Sequence, residues 1–239
     1  MVTARRVVVQ AKGGDVGAAD GSTGERSTFL VLGATGQTGR PFVDLLLGRG
    51  HRVRALVRNP ARLGDRAAEL DVRQGSITDP LDLDALVEGV DFVVMMIGDR
   101  EAQQHAEVNT AFVRRLVPAM RRQGVRRLLY QAGGFSTPPG QRLPLFLRVI
   151  RGTIARPYLG QHRDNEAVMR YLSDEARDLE WMVHRAGLRP GEGSRGVLQR
   201  SDRFISVASF EDCADYSLRL ITGDDGVHTC SGSRYAKRR

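Results

Sequence analysis

Lysine is almost missing from this chain: of 36 basic residues among 239, only Lys12 and Lys237 are lysines, leaving 34 arginines. Chemistry that needs a lysine inside the fold therefore has almost no candidate. Cysteine is equally scarce. Cys213 and Cys230 make neither a disulfide framework nor a zinc set. Aromatic residues are only 6% of the chain and do not interleave with the basic ones, so the net charge of +8 reads mostly as a solvated arginine surface. No specific nucleic-acid partner is expected. No apolar run approaches the roughly 18 to 20 residues of a membrane span; the longest, Phe92 to Ile97, reads as a buried strand. Val7 to Val9 is too short for a signal-peptide core. The expectation is a soluble, cytoplasmic protein, monomeric or homodimeric, with a small-molecule substrate.

What is present is alternation. Residues 1–27 pass into a glycine-rich stretch without apolar periodicity and read as a flexible extension. From Thr28 onward short apolar runs alternate with helical patterns: strands at Phe29 to Leu32, Arg52 to Val57, Leu70 to Gln74, Asp91 to Ile97, Arg126 to Gln131 and Glu180 to Arg185. Helices fall at Pro41 to Leu47, Leu81 to Val87, about Glu101 to Arg122, and Glu166 to Leu172, with Pro118 expected to kink or shorten the long one. Repeated strand and helix predicts a doubly wound parallel α/β sheet of the Rossmann type, one domain over 28–239. A small C-terminal substrate-binding portion is expected, with cleft segments at about 135–160 and 186–205.

The first strand runs into Gly33-Ala34-Thr35-Gly36-Gln37-Thr38-Gly39 and then an apolar helix with Pro41 in its first turn. Glycines permit the tight turn and a close backbone approach to a pyrophosphate, whose charge then faces the free N–H groups of the helix start. Gly33, Thr35, Gly36, Gln37, Thr38 and Gly39 are thus candidate dinucleotide contacts. In the second strand and its exit, His51 to Gly64 carries four arginines and no carboxylate. An acidic residue there would bind a ribose 2′-hydroxyl; arginine accepts a 2′-phosphate, so NADPH is the expected cofactor, with Arg58 and Arg62 as its clamps. Arg52 and Arg54 alternate with Val53 and are expected to face solvent or a helix.

These residues resemble a family. Leu-Gly-Ala-Thr-Gly-Gln-Thr-Gly (32–39), Ala-Leu-Val-Arg-Asn-Pro-Ala-Arg-Leu (55–63), Gln-Gly-Ser-Ile-Thr-Asp-Pro (74–80) and Val-Arg-Arg-Leu-Leu-Tyr-Gln-Ala (125–132) are similar to the atypical short-chain dehydrogenase/reductases of the NAD(P)H-binding, NmrA-like group. The closest likeness is to its biliverdin reductase B, or flavin reductase, branch. The resemblance covers about 28–222 and loosens after Phe135. It implies that Ser76 and Ile77 lie along the adenine, with serine where aspartate is more usual. It also implies that Ile97 and Gly98 pass under the pyrophosphate and ribose, and that Ala132 and Gly133 complete the cofactor set.

The catalytic half departs from that pattern. No tyrosine is followed by lysine four residues on, and glycine stands where the branch carries a serine after strand five; Ser136, three residues further, would substitute only if its loop bends back. Tyr158 and His162 keep the spacing of the missing dyad, with imidazole as a group able to titrate near neutrality, or they merely mark a helix start. Tyr130 reads as a buried strand-end aromatic. Over 135–160, Phe135, Leu143, Phe146 and Leu147 would roof a planar substrate while Arg148, Arg151 and Arg156 hold its acidic groups; a short interfacial helix would show the same mixture. Asp212 and Asp215 read as helix-start residues, and the proline that usually follows Arg185 is absent. Two functions follow: an NADPH-dependent reductase of a flavin, quinone or other conjugated carbonyl compound, and a non-catalytic NADP(H)-sensing regulator.

Overall fold

The structure is a computed structural model describing residues 26–188 and 193–236. The expected N-terminal extension lies outside the described residues except for its last two. Strands β1 (Thr28–Leu32), β2 (Arg52–Val57), β3 (Asp71–Gln74), β4 (Phe92–Met95), β5 (Arg127–Gly133) and β6 (Glu180–Leu188) pair in parallel in the order β3-β2-β1-β4-β5-β6. Strand β9 (Thr229–Tyr235) continues the parallel series beside β6, β7 (Leu198–Ser201) closes the edge antiparallel to β9, and the short β8 (Val207–Ala208) pairs with the end of β6. The winding reverses between β1 and β4, which opens a crevice at the carboxyl ends of those strands.

Period-two alternation splits each strand between two cores. Leu30 and Leu32 of β1 join Val93, Met95, Leu128 and Val183 under helices α4 (Val108–Arg122) and α6 (Leu159–Glu175). Phe29 and Val31 join Val53, Val94, Leu129 and Met182 under α1 (Gly39–Gly48) and α7 (Phe210–Thr222). With both faces covered, the central strands β1 and β4 read as continuous apolar runs. Asp212 lies in the first turn of α7, as expected, and helps fasten the end of β9 by accepting the Tyr235 hydroxyl at 2.8 Å; Asp215, one turn later, pairs with Arg49 and Arg219 instead. No helix among the described residues is long and apolar enough to cross a membrane.

The long helix expected from Glu101 is two helices, and the break is not at Pro118. Helix α3 (Arg100–His105) ends at an extended Ala106, α4 begins at Val108, and α4 runs through Pro118 to Arg122. Pro118 is half-buried one turn after the exposed Arg114, so the carbonyl it deprives of a helical partner lies toward solvent. The break is built by Asp164, a fully buried carboxylate on α6. It accepts the backbone N–H groups of Asn109 and Thr110 at 2.9 and 3.0 Å, the Thr110 hydroxyl at 2.7 Å and the Gln103 amide at 2.8 Å. Free amides at the start of α4 thus receive an anion from another helix.

Asp164→Asn removes the charge and turns an amide donor toward groups that are themselves donors. A loss of roughly 2 to 4 kcal/mol is expected, measured as the shift in urea unfolding; a loss under about 1 kcal/mol would show that the carboxylate does not hold the three helices together.

Candidate functional site

The glycine loop closes on itself before any ligand is considered. Gly33 has φ of 99°, and a Cβ there would lie 2.5 Å from the Met96 carbonyl oxygen; at Gly39 it would lie 2.1 Å from the Gly33 carbonyl oxygen. The Gly36 N–H donates to the Gly33 carbonyl at 2.9 Å, and the Arg40 N–H to that of Gly36 at 3.0 Å. Thr35, Gly36, Gln37 and Thr38 remain open to solvent. No side chain caps α1 and no carboxylate occupies its first turn, so the positive end of the helix is left for an external anion.

At the exit of β2, Arg58 is 69% exposed in its side chain and pairs with Asp99 at 3.2 Å; Asp99 in turn caps α3 through the Ala102 N–H. Because β2 and β4 flank β1, this ion pair spans the crevice mouth. Such an exposed pair is weak and exchanges readily for a stronger anion. Arg62 follows in a 3-10 segment (Pro60–Glu69) capped by Asn59, its carbonyl held by the Arg40 guanidinium at 3.0 Å, and among the described residues its side chain has no ion-pair partner. Arg54 faces a helix: it pairs with Asp71 and donates to the Leu86 and Glu88 carbonyls at the end of α2 (Leu83–Val87).

Of the two residues expected beside the adenine, Ser76 closes its own turn, its N–H on the Asp79 carboxylate at 2.7 Å and its hydroxyl 2.9 Å from that of Thr78. Ile77 instead lines a cavity of about 460 Å³ with Val108, Ala111 and Arg115 of α4.

The loop after β5 does bend back, the Ser136 N–H donating to the Gly133 carbonyl at 2.9 Å. This brings the buried Ser136 hydroxyl to 3.3 Å from Nδ1 of His162. The pair sits at the end of a buried chain: the Asn165 amide donates to Ser136 Oγ at 3.2 Å, the Tyr130 hydroxyl to Asn165 Oδ1 at 2.6 Å, and the Asn109 amide to Tyr130 at 3.1 Å and to the Ile97 carbonyl at 3.1 Å. Gly133 lies against the His162 ring, where a Cβ would meet Cε1 at 3.4 Å. Ala132, beside it, is buried in the core under α6, while Gly98 abuts α6, where a Cβ would lie 2.6 Å from the Gln161 amide. Tyr130 is a buried core hydroxyl, as expected, and burial pushes its pKa up.

His162 does not titrate near neutrality. Burial and the nearby Arg151 pull it down to about 4, Glu166 only partly opposing, and among the described residues its Nε2 has no hydrogen-bond partner. It is a neutral imidazole at pH 7, not the group titrating near neutrality that its sequence position suggests. Tyr158 stands apart from this chain, 43% exposed with the Arg100 guanidinium 5.5 Å over its ring.

The insertion holds helix α5 (Leu145–Gly152), without a buried residue. Arg151 anchors it: its guanidinium pairs with Glu166 of α6 and reaches Thr137 Oγ1 at 3.2 Å. Burial raises the Glu166 pKa, but the hydrogen bonds from Arg151 and the Thr137 N–H outweigh it and hold the carboxyl below its ordinary range. The expected roof forms only in part. Phe135 stands edge-on to His162 at 6.0 Å and Leu143 lines a cavity of about 630 Å³ with Arg148, Arg151 and Leu159, whereas Phe146 is 64% exposed and Arg156 lies outside the lining.

No individual role is assigned from the sequence to Asn109, Asp164, Asn165 or Glu166. Their signal is a polar pair on an otherwise apolar helix face, Asn109-Thr110 and Asp164-Asn165, where burial demands partners.

The model of the NAD(P)H-binding family matches residues 33–223. A 3 beta-hydroxysteroid dehydrogenase/Delta 5→4-isomerase of Mycobacterium tuberculosis is 33% identical over 132 residues, 51% of this chain and 35% of that protein. A (4-alkanoyl-5-oxo-2,5-dihydrofuran-3-yl)methyl phosphate reductase of Streptomyces griseus is 41% identical over 201 residues, 82% of this chain and 63% of that protein. The chain therefore spans about a third of the first relative's length and somewhat under two thirds of the second's. Among solved structures, an anaerobillin reductase from Escherichia coli O157:H7 superimposes with a TM-score of 0.69 at 16% identity, over 89% of this chain and 99% of that one, which shows a shared fold.

His184, fully buried between the Ser233 and Ser217 hydroxyls, is likewise pulled down by burial, to about 3. Above the unfolded value of about 6.5 both histidines are neutral in both states; below it the unfolded chain takes up protons first, so stability is lost as pH falls toward the folded values. By pH 5 the loss is expected to be about 1 to 2 kcal/mol per histidine, read from urea midpoints at pH 7 and 5. A His184→Gln variant should lose less over that interval, and an equal loss would remove His184 from the account.

Proposed function

The chain belongs to the NAD(P)H-binding family, and on that footing we propose that it is an NADPH-dependent reductase that transfers hydride to a flavin, a quinone or another conjugated carbonyl acceptor. The observation that carries this reading is the uncapped start of α1 at the crevice between β1 and β4, with Arg58 and Arg62 at the exit of the neighbouring strand. Gly33 through Gly39 would hold the pyrophosphate, and the two arginines the 2′-phosphate. Ile77 would lie beside the adenine, with Ile97, Gly98, Ala132 and Gly133 along the rest of the cofactor. When bound, NADPH supplies a hydride, and with one proton this completes a two-electron reduction.

Ser136 would hand over that proton; its buried hydroxyl is held by neutral His162 and by Asn165. The arrangement works without lysine because nothing in it needs a fixed cation. Quinones and flavins, which take protons from water, depend on positioning more than on Ser136. The name of the Streptomyces griseus relative describes an unsaturated oxo-dihydrofuran, which supports a conjugated carbonyl acceptor.

Two experiments test the reading. NADPH oxidation is followed by absorbance against FMN, riboflavin, quinones and small enones. Turnover is expected, with Ser136→Ala slowing enones roughly 10- to 100-fold and quinones much less; tight NADPH binding without oxidation would instead favour a regulatory NADP(H) sensor. Arg58→Ala with Arg62→Ala should weaken NADPH roughly 10- to 100-fold and NADH hardly at all, and equal losses for the two cofactors would remove the clamp.

A further inference from the structure

Arginine is so common here, and among the described residues so often without an ion pair on the surface, that a free guanidinium marks a site only where it lines a cavity. From Phe135 to Arg163 the chain contains no aspartate or glutamate, and arginines stand at 142, 148, 151, 156 and 163. Arg142, Arg148 and Arg151 line the 630 Å³ cavity beneath α5. Among the described residues the carboxylate that meets this wall's arginines is Glu166, which is committed to Arg151 and the Thr137 N–H. Arg151 is therefore neutralised, while among the described residues Arg142 and Arg148 have neither an ion pair nor a side-chain hydrogen bond. Two uncompensated cations beside the Gln141 amide face a cavity of the size that takes a small ligand.

The cavity also adjoins the two segments that carry Ser136 and His162. Thr137, in its wall, follows Ser136 directly, and Leu159, in the same wall, opens the helix that carries His162 one turn later. A group anchored at Arg142 and Arg148 leaves the rest of its molecule beside Leu143, Leu159 and Thr137, the residue that follows Ser136.

We propose that Arg142 and Arg148 form an anion subsite that selects acceptors carrying a phosphate or carboxylate group, and that Arg151 serves to fasten α5 rather than to bind substrate. The proposal rests on the reductase reading and deepens it from a conjugated acceptor to an anionic one. Guanidinium pairs on an oxyanion give charge-assisted, salt-sensitive bonds, and two of them predict roughly tenfold or greater preference over a neutral analogue.

The test is equilibrium binding to NADP+-saturated protein, so that the cofactor's own phosphate sites are filled. FMN is compared with riboflavin, and anthraquinone-2-carboxylate with its methyl ester, for the natural protein and for Arg142→Ala with Arg148→Ala. Both side chains are exposed, so the variant folds, which melting verifies. The expected result is at least a tenfold preference for the charged member of one pair, abolished in the double variant and weakened by salt; the pair that shows it tells phosphate from carboxylate. Equal affinity within both pairs, failure of all four compounds to bind, or a preference that survives the double substitution overturns the subsite. NADPH oxidation is measured separately: oxidation without anion preference overturns the subsite alone, and anion preference without oxidation overturns the reductase reading alone.

Discussion

The carboxylate of Asp164 organises more of this protein than any other single group. By satisfying the first amides of α4 it sets where that helix begins, and so where Asn109 stands. Since the Asn109 backbone is held from one side, its side chain extends the other way, to the Ile97 carbonyl and the Tyr130 hydroxyl. Tyr130 then bonds Asn165, the neighbour of Asp164 on α6, and Asn165 bonds Ser136. The same carboxylate takes the Gln103 amide, whose oxygen accepts the Asp99 N–H at 3.0 Å, beside the ion pair at the crevice mouth. A buried charge is tolerable only when surrounded by donors; here those donors are the backbone and side chains that place the two halves of the site.

That dependence explains what could be read in the chain and what could not. The parallel core was legible because the central strands β1 and β4 are apolar on both faces and the turns between strands are marked by glycine, asparagine and proline, while the edge strand β3, Asp-Val-Arg-Gln, is exposed and mostly polar. The glycine loop and the arginines after β2 were legible because a local pattern sufficed. Strand β9 was not, since Thr-Cys-Ser-Gly-Ser-Arg-Tyr contains no aliphatic residue; it is buried through polar pairing, His184 on Ser233, which hydrophobic periodicity does not register. The break between α3 and α4 was missed because its cause lies more than fifty residues away. Pro118 offered a local reason for a break, and the tertiary contact decided instead.

The same limit governed the proton chemistry. A histidine four residues after a tyrosine looks like a titrating substitute for lysine, and its ordinary pKa agrees. Burial and Arg151 reverse that, and the neutral ring becomes a support for Ser136. Desolvation cannot be read at a single position, because it depends on Phe135, Gly133 and α6 closing around the ring together.

An arginine-only surface has a further consequence. Guanidinium groups stay charged at every accessible pH, so burial alone does not switch them off and selectivity must come from which ones are paired. Among the described residues some exposed arginines meet a carboxylate, as Arg121 meets Asp178 and Arg122 meets Asp84, in pairs that contribute little to stability; many others have no such partner, so a free guanidinium marks a site only where it lines a cavity. Glu166 does the same with more effect. Lying one turn beyond His162 on α6, it ties α5 to the helix that supports Ser136 and cancels Arg151 in the same contact. The positive field that remains in the cavity is then that of Arg142 and Arg148, set apart by a carboxylate that neutralises their neighbour.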